Sequence, residues 1–206
     1  MHGSFRPRLS AHRAAIVCTA LLALAACDQA PDPSAPGATH AMPSRDALPD
    51  CDQVQAAFEG QLAGWTPAQG TGPWENAMRN SYGMDCSWIS PQLQAESAFD
   101  IVQGAALMVR INVDPGALTA AELRQIGMVV DDPAVEEADG VLVYPGARLD
   151  FAAPLGMVAP EVLIHRVGVT VGKSGVMLVN ETRETASITH RRAVDVALAV
   201  HRLIDP

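Results

Sequence analysis

The sequence predicts an α+β fold, an antiparallel sheet of about five or six strands with an N-terminal and a C-terminal helix packed on it. Several short segments alternate apolar and polar residues, as strands with one buried face do. These segments follow one another along the chain, which favours antiparallel pairing over parallel units linked by helices. An apolar stripe with helical spacing occupies residues 187–204.

The folded domain is expected to span residues 50–206 and to begin with a helix. Asp52 can cap this helix, and Gln55 lies three residues later, as in a capping box. Its apolar face is formed by Val54, Ala57, Phe58 and Leu62. Residues 64–81 are rich in glycine and proline, which predicts a loop.

Two strands and a short helix are expected next. Residues 82–89 and 105–113 each alternate in hydropathy and predict strands with one buried side. Residues 119–127 predict a helix, because Thr119 and Glu122 have the spacing of a capping box and a glycine ends the segment.

Two hairpins are expected before the last helix. Residues 141–151 suggest one around Pro145-Gly146, a pair typical of a type II turn. Residues 162–181 suggest another, with two valine-rich strands joined by residues 172–175. The apolar stripe of the last helix comprises Ala193, Val196, Ala197, Val200, Leu203 and Ile204.

The N-terminus has the pattern of an export signal. Residues 1–26 contain arginines but no acid, and their apolar run of thirteen residues is too short to cross a bilayer. The run ends in Leu24-Ala25-Ala26-Cys27, which resembles the bacterial lipobox. This resemblance implies cleavage before Cys27 and attachment of a diacylglycerol to its thiol. An ordinary signal peptide, with Cys27 incidental, is the alternative.

A tether is expected to follow the signal. Residues 27–49 are rich in proline and small residues and cannot form a core, so they are expected to hold the domain away from the membrane.

The remaining cysteines predict a disulfide. Cys18 leaves with the signal and Cys27 takes lipid, which leaves Cys51 and Cys86 as a pair in an exported chain. Two cysteines do not supply the four ligands of a structural zinc site, and they lack the C-x-x-C spacing of a redox pair. No metal and no cofactor is therefore predicted.

Charge and motifs argue against several function classes. The net charge is −9, and it is −12 beyond residue 26, where 11 basic residues face 23 acidic ones. Such a surface disfavours nucleic-acid binding. The segment VGVTVGKS resembles a P-loop, but Val167 stands where that motif needs glycine.

The histidines and acidic residues have mainly structural interpretations. His190 and His201 are expected at the surface, and His165 is expected as a hydrogen-bonded core or edge residue. The acidic residues at 131, 132, 136, 137 and 139 are expected to form a solvated loop, because they lack the spacing of an EF-hand. Trp65 and Trp74 are the candidate lining of a ligand groove, with capping of the core as the alternative.

The lipobox, the tether, the cysteine before the first helix, the Cys86-Ser87-Trp88 strand and the final helix together resemble uncharacterised lipoproteins of actinobacteria. The outline is also loosely similar to the extracellular sensor domains of mycobacterial kinases. The resemblance implies a lipid-anchored domain on the extracytoplasmic face of the cell membrane, and it brings no catalytic residues.

The sequence leaves three functional hypotheses. The first is a non-catalytic lipoprotein that binds a small ligand or an envelope protein. The second is a cell-envelope enzyme that uses His165 with Asp150 or Glu161, and it requires these side chains to converge. The third is a purely structural envelope protein, which would need no apolar cleft.

Overall fold

A computed structural model describes residues 41–94, 104–173 and 188–204 of the chain. These residues belong to one compact unit, His40–Pro206. The strands are β1 (Thr66–Pro67), β2 (Gly72–Asn76), β3 (Ser81–Ile89), β4 (Ala106–Val113), β5 (Val129–Val130), β6 (Val141–Val143), β7 (Glu161–Ile164) and β8 (Val167–Lys173). The α-helices are α1 (Cys51–Ala56), α2 (Ala120–Gln125), α3 (Pro133–Glu137) and α4 (His190–Ile204). Short 3-10 helices span Arg45–Ala47, Pro91–Gln94 and Pro145–Ala147.

The strands form one open sheet in which neighbouring strands are antiparallel. Their order is β1-β3-β4-β8-β7-β6-β5, and β2 pairs with β3 beside β1. The predicted α+β class, antiparallel sheet and C-terminal helix are confirmed. The described residues contain eight strands, close to the expected five or six, and the difference comes from two-residue strands at the sheet edges.

The core lies between α4 and one face of the sheet. β4 contributes Leu107, Val109, Ile111 and Val113, all fully buried, as their alternation predicts. Phe58 and Trp88 meet edge to face, with ring centroids 5.9 Å apart. Full burial of such side chains contributes roughly 1.5–3 kcal/mol each to stability. A smaller cluster on the opposite face packs α2 against β6 through Leu123, Val141 and Val143.

The predicted disulfide is present. Cys51, the first residue of α1, is bonded to Cys86 in the middle of β3, with the Cα atoms 5.4 Å apart. The bond holds the short helix α1 against the sheet.

The first helix differs from its prediction in its cap and its length. Asp50 caps it: its Oδ1 accepts the Gln53 backbone N–H at 2.8 Å, and Gln53 Oε1 accepts that of Asp50 at 2.9 Å. The predicted box at Asp52 and Gln55 is therefore wrong by two residues, because Asp50-x-x-Gln53 has the same spacing. The helix ends at Ala56, and turns carry the chain onward. The box of α2, Thr119 with Glu122, is confirmed.

The predicted loop at residues 64–81 is wrong, because it contains β1, β2 and the turn that leads into β3. Proline lacks a backbone N–H, so it fits an edge strand that has one pairing neighbour. Pro67 and Pro73 both occupy such strands. The composition that predicts a loop therefore also suits a sheet edge.

Both predicted hairpin turns are wrong. β7 and β8 are joined by the two residues His165-Arg166, and Gly172 and Lys173 continue β8. The rest of the expected second strand, from residue 174 to 181, lies outside the described residues. Residues 145–147 form a 3-10 helix, and β6 pairs with β5 and β7 instead of with the segment that follows it.

The last nine residues of the predicted tether contact the domain. The Tyr82 hydroxyl donates a hydrogen bond to the Pro43 carbonyl, Leu48 packs against the core and Pro49 is buried. The signal peptide and residues 27–40 lie outside the described residues, so the predictions for them remain predictions.

Candidate functional site

A cleft of about 930 Å³ lies on the α4 side of the sheet. This volume is near the upper end of the range for small-molecule sites, roughly 300–1,000 Å³. Four parts of the chain form its walls: the segment 41–47, the end of α3, the β7–β8 turn and the last two turns of α4. Its lining comprises Ala41, Pro43, Ala47, Ala134, Glu137, Ala138, Asp139, Ile164, His165, Val167, Leu198, His201, Arg202 and Ile204.

Nine of the fourteen described lining residues are apolar, but the surface that the lining exposes to the cleft is about equally polar and apolar. Four alanines face the cleft, and their short side chains keep it open. Longer apolar side chains come from the sheet at Ile164 and Val167 and from α4 at Leu198 and Ile204. The polar groups are two carboxylates, two imidazoles and one guanidinium. An apolar cleft with a few polar groups is the usual form of a ligand site.

The β7–β8 turn that borders the cleft has an unfavourable sequence for its shape. His165 and Arg166 both have positive φ, 45° and 72°, the pattern of a type I′ turn that favours Asn-Gly. Left-handed backbone costs a residue with a side chain roughly 1–2 kcal/mol. Arg166 offsets part of this cost, since its Nη1 donates to the carbonyls of Pro115 at 2.9 Å and Ala117 at 2.5 Å. Retained strain of this kind concentrates at functional sites.

His201 is buried, so its prediction as a surface residue is wrong. Its side chain turns towards the sheet, and its Nε2–H donates to the Val162 carbonyl at 3.0 Å. Burial lowers the pKa of His201, and the nearby His165 lowers that pKa further. The ring is therefore neutral at pH 7, and because Nε2 carries the proton, Nδ1 is its acceptor nitrogen.

The charged residues of the cleft are not paired with one another. Glu137 and Asp139 lie at the end of α3, and Arg202 lies on α4. Among the described residues, these three side chains form none of the ion pairs, which all lie elsewhere. The cleft thus presents two carboxylates and one guanidinium that remain available to a ligand.

The acidic segment before the cleft is only partly solvated. Asp132 is 2% exposed, caps α3 and accepts a hydrogen bond from Arg191 Nη1 at 2.5 Å. Its prediction as part of a solvated loop is wrong, because helix capping and an ion pair both draw it inward. In the described ranges, no group of three or more His, Cys, Asp or Glu side chains is arranged to hold a metal ion.

His190 is also buried, contrary to its prediction as a surface residue. It begins α4, where its Nδ1 lies 2.8 Å from the Asp150 carbonyl and its ring centroid lies 5.8 Å from that of Tyr144. It does not line the cleft. Its position follows from the docking of residues 150–153 on the start of α4, which the sequence pattern did not reveal.

The two tryptophans proposed for a ligand groove lie elsewhere on the sheet. Trp65 is half-buried and packs against the core, which fits the capping alternative. Trp74 lies on β2 opposite Gly83, with the Arg110 guanidinium 5.9 Å from its ring centroid. Neither tryptophan lines the cleft.

The carboxylates considered as partners for His165 are not part of the cleft. Asp150 is at the other end of α4, beside His190. Glu161 lies on the opposite face of the sheet, where its carboxylate covers Gly168 and burial raises its pKa. The structure brings His165 together with His201 and Arg202 instead.

Comparison with protein-family models, with curated proteins and with solved structures finds no match to this chain. The resemblance to actinobacterial lipoproteins therefore stays a prediction. Among the helices in the described ranges, none is long and apolar enough to cross a membrane.

Sequence reasoning missed the cleft because its lining comes from four distant parts of the chain. One local signal was available. The polar dipeptide His165-Arg166 interrupts two valine-rich segments, and this break marks the position of the turn that borders the cleft.

Proposed function

We propose that this chain is a lipid-anchored extracytoplasmic lipoprotein whose folded domain binds a small molecule in the cleft between α3, α4 and the β7–β8 turn. The cleft is the observation that carries the proposal. It combines a volume of about 930 Å³, a lining that is about equally polar and apolar, and three charged side chains, Glu137, Asp139 and Arg202, that form no ion pair among the described residues.

The anchor is proposed from the sequence. A basic start, a short apolar run and Leu24-Ala25-Ala26-Cys27 suit export, cleavage and lipidation of Cys27. Two acyl chains give stable membrane attachment, whereas a single chain gives only reversible binding. The acidic chain has no basic cluster that would hold it to anionic lipid by charge alone.

The chemistry of the lining favours binding over catalysis. The described lining contains no serine, threonine, cysteine or lysine side chain, and Asp150 and Glu161, the partners that the enzyme hypothesis requires for His165, lie outside the cleft. The Nε2–H of His201 donates to the backbone carbonyl of Val162, so this hydrogen bond fixes the orientation of the ring. A purely structural role would give no reason for a cleft of this size, so the ligand-binding hypothesis is the stronger one.

Native mass spectrometry of the full-length protein purified from its membrane tests the cleft. The wild type is expected to carry a non-covalent small molecule. Ala47→Trp, which fills the cleft from an exposed position, is expected to lose it. Ala121→Trp, on the exposed side of α2, is the matched control and is expected to keep it. Loss from both variants, or from neither, would contradict the cleft as the binding site.

Intact mass under denaturing conditions tests the anchor. The wild type is expected to carry a diacylglyceryl group, and Cys27→Ala is expected to release the protein into the medium. An unmodified mature chain in the medium would leave a freely secreted protein and remove the anchoring part of the proposal.

A further inference from the structure

We propose that the ligand of this cleft is a zwitterionic single-chain lipid, a molecule that joins an ammonium group and a phosphate to one acyl chain. The inference rests on the proposed function and assigns the chemical class of the ligand. It follows from the signs of the unpaired charges, the helix end that borders them and the position of the cleft near the tether.

The balance of charge in the cleft favours an ammonium group. Glu137 and Asp139 supply two carboxylates, whereas Arg202 is the one guanidinium among the described lining residues, and His201 is neutral at pH 7. The domain as a whole is acidic, and its field attracts cations and repels ligands that are only anionic.

The end of α4 adds to this preference. The cleft is bordered by Leu198, His201, Arg202 and Ile204, in the last two turns of a 15-residue helix. Unsatisfied carbonyls at a helix C-terminus carry partial negative charge and stabilise cations. A ligand with only an acidic group could pair with Arg202, but it would leave this helix end and both carboxylates without a cationic partner.

Arg202 indicates an acidic group on the same ligand. Its guanidinium, on α4, forms no ion pair with Glu137 or Asp139, at and just after the end of α3, so these opposite charges do not pair with one another. A guanidinium binds phosphate with two parallel hydrogen bonds. A ligand that carries both charges can pair with Arg202 and with the two carboxylates at the same time.

The apolar surfaces and the chain connection point to a lipid. Beyond the apolar lining, Met42 is 43% exposed and Leu203 is 40% exposed, each next in sequence to lining residues. Ala41 lines the cleft and follows Cys27 by 14 residues, which span at most about 50 Å when extended. With Cys27 in the membrane, the cleft stays within reach of the bilayer surface.

Isothermal titration of the full-length protein with three probes tests the inference. The probes are lysophosphatidylethanolamine, lysophosphatidylglycerol with the same acyl chain, and phosphoethanolamine without a chain, all below the micellar concentration. We expect the first to bind at least about tenfold more tightly than the second, and the third to bind more weakly than both.

Variants identify the groups that create this preference. Glu137→Gln combined with Asp139→Asn is expected to abolish the preference for the ammonium lipid. Asparagine tolerates the positive φ of 54° at position 139, so the backbone is preserved. Glu136→Gln, on the same helix but outside the cleft, is the control and is expected to change nothing.

Arg202→Gln is expected to weaken both lysolipids about equally, because both carry a phosphate. Arg124→Gln, at an exposed position on α2, is its control.

The outcomes separate the inference from the proposed function. Equal affinity for the two lysolipids, with loss of both in Ala47→Trp, would overturn the zwitterion and keep the cleft as a binding site. Binding of phosphoethanolamine as tight as that of its lipid would overturn the acyl-chain part. Lysolipid binding that Ala47→Trp leaves unchanged would overturn both proposals.

Discussion

Removal of the Cys51–Cys86 disulfide should destabilise the domain by about 4 kcal/mol. The bond closes a separation of 35 residues. For a loop of this length, the chain-entropy relation gives about 13 cal/mol/K, or about 3.8 kcal/mol at 25 °C. In a domain of this size, 1 kcal/mol shifts the melting temperature by roughly 2–4 °C, so the expected loss is about 8–15 °C.

Chemical denaturation of Cys51→Ala/Cys86→Ala against the oxidised wild type measures this loss. Reduced wild type is the control that keeps both side chains, and it separates the cross-link from the packing of Cys86, which is 1% exposed. We expect reduction to account for most of the loss. A loss below about 1 kcal/mol on reduction would refute the reasoning, as would two free thiols in the folded, air-oxidised protein.

Substitutions at four positions test the fold. Gly83→Ala should destabilise the domain by about 2–3 kcal/mol, because the new methyl would lie 1.8 Å from the Ile111 carbonyl oxygen; Gly168→Ala should cost less, because it meets the flexible end of Glu161. Glu161→Gln should stabilise the domain at pH 7, because burial raises the pKa of this carboxyl above its ordinary 4.5 and makes its ionised form costly. Asp132→Ala should cost about 1 kcal/mol more than Asp132→Asn, since asparagine retains the cap of α3.

Denaturant titration measures each of these changes. Equal losses in the two glycine variants would contradict the stated contacts.

Above its folded pKa, Glu161 is ionised in both the folded and the unfolded state, and its burial then opposes folding. As the pH falls through the folded pKa towards 4.5, the buried carboxyl is protonated and the advantage of Glu161→Gln should disappear. A pH-independent advantage would contradict the assignment to ionisation. Equal stability of Asp132→Ala and Asp132→Asn would contradict a stabilising role of the Asp132 cap of α3.

The elements that sequence predicts well are those whose signal is local. The alternation of β4 and the apolar stripe of α4 each reflect one buried face, and both are confirmed except at Leu203, which was predicted in the stripe but is 40% exposed. The Cys51–Cys86 pair followed from counting cysteines in a chain that its N-terminal sequence predicts to be exported. Local signals were ambiguous where two patterns overlap, as with the capping boxes at Asp50 and Asp52.

The parts that sequence did not predict depend on distant contacts. His201 was expected on a polar helix face, but the carbonyl of Val162 on β7 draws it inward. The turn at His165-Arg166 was missed because neither residue is a usual turn former. The cleft itself joins chain segments more than 150 residues apart, from Ala41 to Ile204, and no periodicity encodes such a meeting.

Hydrogen–deuterium exchange tests most directly whether the cleft is the ligand site. The full-length protein would be compared as purified from its membrane and after removal of bound small molecules by solvent extraction and refolding. The account predicts slower amide exchange in the ligand-bearing sample at the β7–β8 turn, at residues 198–204 and at residues 41–47, with α2 unchanged. Identical exchange in the two samples, or protection centred on Trp65 and Trp74, would contradict it.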